Sequence, residues 1–385
     1  FVAPLCQSGD LAHILEFVMA YLLVIGTRKG LFTARSEDRR TWDVTGPHRL
    51  DEANDAGVSP VYAVGINPHT GRLLVGTESW HFGPSVWHSD DLGATWTEPP
   101  APPIAFPQDT DGSLTRAWQF AFGADPDTVF AGVEPHALFR SSDGGDSFEL
   151  VRALWDHPHR VNWMPGAGGA AIHTVLPGTL GVGHRSPEAI TVAMSTGGVY
   201  QTADDGASWN PTNRGISAGF LPDEEPEYGQ CVHKVAAAPD GSFYAQNHHG
   251  VYRSADPAAD GWSRIEEGLP TDFGFAMVAH PHTPDTALNF PVISQEVHLP
   301  AEHRLGAYRT DDGGRTWRAI NEGLPEEPYF GIVLRDAACT DGAEVPGFYF
   351  GTRSGDVYAT TDDDDRWRLV AAHLPDVLSV RATEV

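Results

Sequence analysis

The sequence predicts an all-β fold: a seven-bladed β-propeller of four-stranded antiparallel blades, closed by the C-terminal strand joining the first blade. Three observations carry this. A single pattern returns seven times along the 385 residues: an apolar strand, a Gly turn, an aromatic-rich strand, then Ser/Thr-x-Asp-x-Gly-x-Thr/Ser-Trp. The aromatics closing each copy are Trp42, Trp96, Phe148, Trp209, Trp262, Trp317 and Trp367, about 50 to 60 residues apart, which is the size of one blade. Gly 41 and Pro 30 supply the many turns such a ring needs, and helical periodicity is sustained nowhere.

The elements follow in order. Residues 1–18 have no basic leader or small-residue cleavage site and precede Met19, so they are expected to be an N-terminal extension outside the fold. Residues 19–385 form one domain. Its first strand, LLVIGT at 22–27, matches the second strands of later blades, LLVGT at Leu73, VFAGV at Val129 and FYFGT at Phe348. Blade 1 therefore lacks its innermost strand, and VLSVRA at 377–382 supplies it, which locks the ring and removes an open edge. The innermost strands of the other blades read VYAVGINP (Val61), RAWQFAF (Arg116), AIHTVL (Ala171), QCVHKVA (Gln230), FGFAMVA (Phe273) and YFGIVLRD (Tyr329).

The recurring box lies between the third and fourth strands, hence on one face of the ring. Its Ser/Thr and Asp side chains are suited to bonding turn N–H groups, its Gly to a positive φ, and its aromatic to packing between sheets. Asp91, Asp143, Asp204 and Asp312 are thus read as structural, not catalytic. Because neighbouring strands are antiparallel, the starts of the inner strands and the ends of the second strands lie on the opposite face. The long connections 98–116, 154–169 and 214–229 reach that face too, and loops of this length in a compact repeat carry function.

Composition removes several classes. Lys+Arg 25 against Asp+Glu 52 gives a net charge of −27, which argues against a nucleic-acid backbone or an anionic membrane surface as partner. Cys6, Cys231 and Cys339 form no CxxC pair and no disulfide framework, and no apolar run has the length of a membrane span. A cytoplasmic location is the expectation.

On the loop-bearing face, His173 and His233 occupy equivalent places on the inner strands of blades 4 and 5. The second strand of blade 5 ends in Gln246, Asn247, His248 and His249. Converging imidazoles suit one divalent metal (zinc, manganese, iron or copper), so His173, His233 and His248 are the candidate ligands. His173 and His233 also serve as candidates for metal-free acid–base work, although a histidine on a half-buried strand is commonly a hydrogen-bonded core residue. Gln230 and Asn247 are the neighbouring candidates for binding substrate. Glu78 and Glu134 stand at matching second-strand ends of adjacent blades, and paired carboxylates are the usual equipment of glycoside cleavage. Arg28 and Arg353 are likewise on adjacent blades and, with Arg116, are placed to clamp a carboxylate or phosphate. Trp80, Trp118 and Trp163 lie in or beside these segments and offer ring faces to a sugar.

The boxes SDDLGATW (Ser89), SSDGGDSF (Ser141), TADDGASW (Thr202) and TDDGGRTW (Thr310) resemble the Asp-box, or BNR, repeat of sialidases and related propellers. Together with HTV at His173, GQCVHKV at Gly229, QNHHGVYRS at Gln246, EGLPTDFGF at Glu267 and VLRD at Val333, they resemble the intracellular seven-bladed sialidase-like propellers. That resemblance implies the fold over 19–385 and lends little chemistry. Sialidases of this type have six blades and an Arg-Ile-Pro segment, which this sequence lacks, so a true sialidase is not expected. The leading expectation is a hydrolase-type enzyme acting on a small or carbohydrate-like substrate at a His-rich channel mouth. A non-catalytic scaffold for a protein partner and a metal-dependent lyase on a uronate are the alternatives.

Overall fold

The computed structural model describes residues 20–50, 58–79, 83–166 and 169–385, which form a ring of seven antiparallel sheets. The extension 1–18 and Trp80 lie outside the described residues. Blade 1 holds Tyr21–Thr27, Gly30–Ser36 and Asp43–His48, with Val377–Glu384 at its inner edge in the register Leu23↔Ala382 and Ile25↔Val380. The first and last strands of the ring thus share one sheet, as the sequence predicts. Blade 2 (Val61–Ile66, Leu73–Ser79, Gly83–Ser89) has three strands, and a single bridge between His88 and Thr97 stands where the fourth would lie. Blades 3 to 7 have four strands each, with inner strands Arg116–Phe122, Ile172–Gly181, Val232–Ala237, Phe273–Ala279 and Ala338–Thr340. Each inner strand touches the next, and 377–384 touches 61–66 to complete the circle. Among the described residues no helix is long and apolar enough to cross a membrane.

One inner strand differs from its expectation. YFGIVLRD at 329–336 has the apolar run of a strand but makes no ladder, because the second strand of blade 7, Gly347–Gly351, pairs with Ala338–Thr340 instead. Residues 329–335 enter the mouth of the ring as irregular chain, and Asp336 forms only an isolated parallel bridge with Ser379.

Two sequence features explain why the blades pack as they do. The glycine of the Val-Gly-Thr-like second strands sits where the next blade's inner strand comes closest. A Cβ at Gly26 would lie 2.8 Å from the Val61 carbonyl oxygen, one at Gly132 2.4 Å from that of Ile172, and one at Gly351 2.4 Å from Val377. The box then pins the outer edge. In the copy at 202–209, Thr202 Oγ1 donates to Asp204 Oδ1 at 2.6 Å, while Asp204 accepts from Ser208 N at 2.9 Å and Ser208 Oγ at 2.6 Å. The copies at Ser89, Ser141 and Thr310 repeat these bonds. Trp262, Trp317 and Trp367 are buried and reach back to the preceding blade: Trp262 Nε1 donates to Thr212 O at 2.8 Å, Trp317 Nε1 to Ile265 O at 2.5 Å and Trp367 Nε1 to Ile320 O at 2.7 Å. The box carboxylates are therefore occupied within their own turns.

Candidate functional site

The inner strands share a local irregularity that builds the mouth of the channel. Near the loop-bearing end the pairing with the second strand slips by one residue in blades 2 to 6: between Val61 and Ala63, Ala117 and Gln119, Ile172 and Thr174, Val232 and Lys234, and Gly274 and Met277. In the closing strand the slip leaves Leu378 over. Such bulges re-aim the extra residue, and they are common beside functional sites. The extra residues include Tyr62, Trp118, His173, His233 and Leu378, and all of these except His173 line a cavity of about 640 Å³ whose wall draws on all seven blades.

On this wall Cys231, His233 and His248 bring one ligand atom each within 4.8 Å of one another. Their hydrogen bonds prepare the imidazoles. His233 Nδ1 bonds the Gly274 carbonyl oxygen at 2.6 Å, which makes Nδ1 the donor and leaves the Nε2 lone pair free. His248 Nε2 contacts Gln295 Oε1, so its buried Nδ1 is the lone-pair nitrogen, and that atom has no partner. Burial first, then the Arg335 charge, holds His233 well below the ordinary histidine range, so it stays neutral. Burial also raises the Cys231 thiol, while the positive charge of Arg335 opposes the rise. Two imidazoles and a cysteine sulfur fit a soft or borderline divalent cation such as zinc or copper better than manganese.

The remaining candidates divide. His173 is buried away from the cavity with neither ring nitrogen bonded, and Cys231 occupies the third corner beside His233 and His248. Arg116 lines the cavity with Nε 3.1 Å from Glu78 Oε2 and 3.4 Å from Glu134 Oε2, and its guanidinium lies over the Tyr62 ring at 4.4 Å. Trp118 Nε1 donates to Glu134 Oε2 at 3.1 Å. Glu78 and Glu134 therefore flank one guanidinium, and of the two only Glu134 reaches the cavity wall. Arg28 and Arg353 do meet, on Asp376, at 3.7 and 3.0 Å. Gln230 donates to Pro226 O and Asn247 to Ser217 O, both buried as ties for the 214–229 connection. Trp163 is buried too, with Nε1 on Tyr200 Oη at 3.1 Å.

No protein-family model matches the sequence, and no curated protein does. Solved structures do. The chain superposes on YCF48 from Cyanidioschyzon merolae with a TM-score of 0.51 at 12% identity, covering 84% of this chain and 87% of that one. A GH74 xyloglucanase from Xanthomonas campestris gives 0.30 at 13% identity, and an ancestral GH74 enzyme 0.44 at 11%. These two matches cover 92% and 90% of this chain but 60% of each enzyme. The likeness is one of fold.

Sequence reasoning missed two residues. Cys231 precedes an inner strand, and its meeting with His248 depends on the bulge, which no spacing rule announces. Arg335 sits in the VLRD phrase, where an arginine and an aspartate end an apolar run; that charged pair was the available signal. Arg335 lines the cavity and is the only buried arginine among the described residues. Its neighbour Asp336 accepts from Lys234 Nζ at 2.8 Å and Arg381 Nη2 at 2.6 Å through the same oxygen. Burial pushes the Asp336 carboxyl up, but the Lys234 and Arg381 charges outweigh it and keep it below the ordinary aspartate range.

Proposed function

We propose that the channel mouth is a hydrolase-type active site for a small or carbohydrate-like substrate, with a divalent metal held by Cys231, His233 and His248. The convergence of these three side chains on the wall of the cavity is the observation that carries the reading. A cation bound there polarises a carbonyl or phosphoryl oxygen and supplies hydroxide near neutral pH. The chain's own residues do the rest. Gly274 and Gln295 fix the two imidazoles in ligand-ready tautomers. Tyr62, Trp118, Phe220 and Phe273 give the cavity ring faces of the kind sugars stack on. Glu134, oriented by Trp118 and Arg116, is the carboxylate available for proton transfer. The sialidase-like resemblance of the repeats agrees with a carbohydrate-like substrate, and a reducing cytoplasmic setting would keep the Cys231 thiol free.

Metal analysis of the purified protein tests this directly. We expect about one zinc or copper per chain, lost in Cys231→Ser and His233→Ala but retained in His173→Ala. Hydrolysis in a panel of chromogenic glycosides, phosphoesters and carboxylesters is expected to disappear on chelation. Metal-free protein, or activity indifferent to chelation, would overturn the metal site. Uniform inactivity, together with a co-purifying protein lost on trimming 214–229, would favour the scaffold instead.

A further inference from the structure

Arg335 is a buried cation with no ion-pair partner among the described residues. Its guanidinium makes no ion pair or side-chain hydrogen bond with any described residue, and its Nε is fully buried without a partner. The surroundings explain why it finds none. The nearest acidic side chain in sequence, Asp336, already holds Lys234 and Arg381. Asp376 holds Arg28 and Arg353, and Glu78 and Glu134 hold Arg116. Besides the Cys231 thiol, Arg335 faces aromatic rings: its guanidinium carbon lies 5.1 Å from the centre of the Phe275 ring and 5.9 Å from Trp118. Buried arginines are ordinarily paired, because desolvation of the charge is offset only by an anion.

We infer that Arg335 is the anchor for the carboxylate of a small organic substrate, the anion entering with the ligand. This deepens the proposed function and rests on reading the cavity as a substrate site. A single planar fork walled by apolar and aromatic groups suits a monoanionic carboxylate carried on an organic body. Inorganic phosphate would need more donors than this fork provides. Phe275 also fixes the geometry between anchor and chemistry: the His233 ring stacks on it at 4.8 Å, so a carboxylate at Arg335 stands one ring away from the Cys231–His233–His248 cluster. The substrate class is therefore an acid held by its carboxylate, with a second polar group directed at the cluster. Uronic acids fall within this class.

Calorimetric titration with glucuronate, benzoate and citrate, each beside a neutral amide or alcohol analogue, and with inorganic phosphate, tests the assignment. At least one acid is expected to bind about tenfold or more tightly than its neutral analogue. Arg335→Met should abolish that preference and Arg335→Lys should weaken it. Because no described residue bonds to Arg335, Arg335→Met strands no partner and should melt no lower than wild type; should it misfold, Arg335→Lys carries the test. The titrations are repeated after chelation. A preference that survives chelation and is lost in Arg335→Met supports the inference whether or not metal is found. A preference lost on chelation and kept in Arg335→Met would place the carboxylate on the metal and overturn it, leaving the proposed function intact. No preference in any pair, or tighter binding of phosphate than of every acid, also overturns it.

Discussion

Substituting Asp336 by asparagine should be among the most damaging single changes in the ring. One carboxylate oxygen holds Lys234 from blade 5 at 2.8 Å and Arg381 from the closing strand at 2.6 Å, with Asp336 itself almost wholly buried. Asparagine keeps the shape and removes the charge, so a buried ammonium and a half-buried guanidinium lose their counter-ion. Breaking a buried pair in this way costs about 3–5 kcal/mol. In a chain of this length about 1.2 °C of melting temperature accompanies each kcal/mol, so a drop of roughly 4–6 °C is expected. Differential scanning calorimetry at one fixed scan rate and pH 7 measures it. The combined replacement Lys234→Met, Asp336→Leu and Arg381→Met removes the stranded charges as well and should recover much of the loss. The pH dependence has a definite sign. The folded carboxyl titrates below its unfolded value, so its stabilisation is present above about pH 4 and is lost as the pH falls through the folded value. If Asp336→Asn melts within about 1 °C of wild type, the charges do not tie blades 5, 7 and 1 together, and the argument fails.

Two further outcomes follow from the packing and the titrating groups. Gly132→Val places a side chain against the Ile172 carbonyl, and overpacking of this kind costs about 1–3 kcal/mol, read as a lower urea midpoint, while Gly219→Ala, whose Cβ would meet nothing closer than 3.6 Å, should cost less. His136 is buried with Nε2 on Ser195 O at 2.7 Å, and burial lowers it to about 4. Its neutral form contributes stability that is complete above about pH 6.5 and is lost as the pH falls towards about 4. The turn carboxylates Asp91, Asp204 and Asp312, lowered to about 2 by their turn hydrogen bonds, add a second decline between about pH 4 and about 2. Urea midpoints measured from pH 8 to 3 should fall in that order, and a flat profile between pH 6.5 and 4.5 would exclude the histidine contribution.

The ring was legible because its determinants are local and repeated. Each box closes bonds within eight residues, each strand glycine meets one neighbour, and seven copies average out the degraded ones. The closure of 377–384 on 21–27 was legible for the same reason, since a second-strand motif stood first in the chain. The site was less so. His233, His248, Arg28, Arg116, Arg353 and Glu134 do gather on one wall, because residues at matching blade positions meet near the axis. Side-chain direction was another matter. A bulge re-aims the extra residue, and of two buried histidines at the same bulge position His233 lines the cavity while His173 does not. Nothing in AIHTVL against QCVHKVA separates these outcomes. Residues 329–336 show the converse limit: an apolar run reads as a strand whether or not a neighbouring strand is free to pair with it, and pairing is a property of the whole blade.

Charge distribution gives the mouth its character. The protein carries −27 overall, yet the cavity wall presents Arg28, Arg116, Arg335 and Arg353. Three of these are neutralised in place, by Asp376 or by Glu78 and Glu134, and act as rigid struts between adjacent blades. Their pairs are partly exposed and screened, so each contributes modestly. Arg335 differs because it is buried and its neighbour's carboxylate serves Lys234 and Arg381. Moving Asp336 away from Lys234 to satisfy Arg335 would strand a buried ammonium, so the triad holds Arg335 in its unpaired state. Asp336 thus does more than join three blades. By committing its negative charge to the ring, it keeps one guanidinium available for an anion that comes from outside.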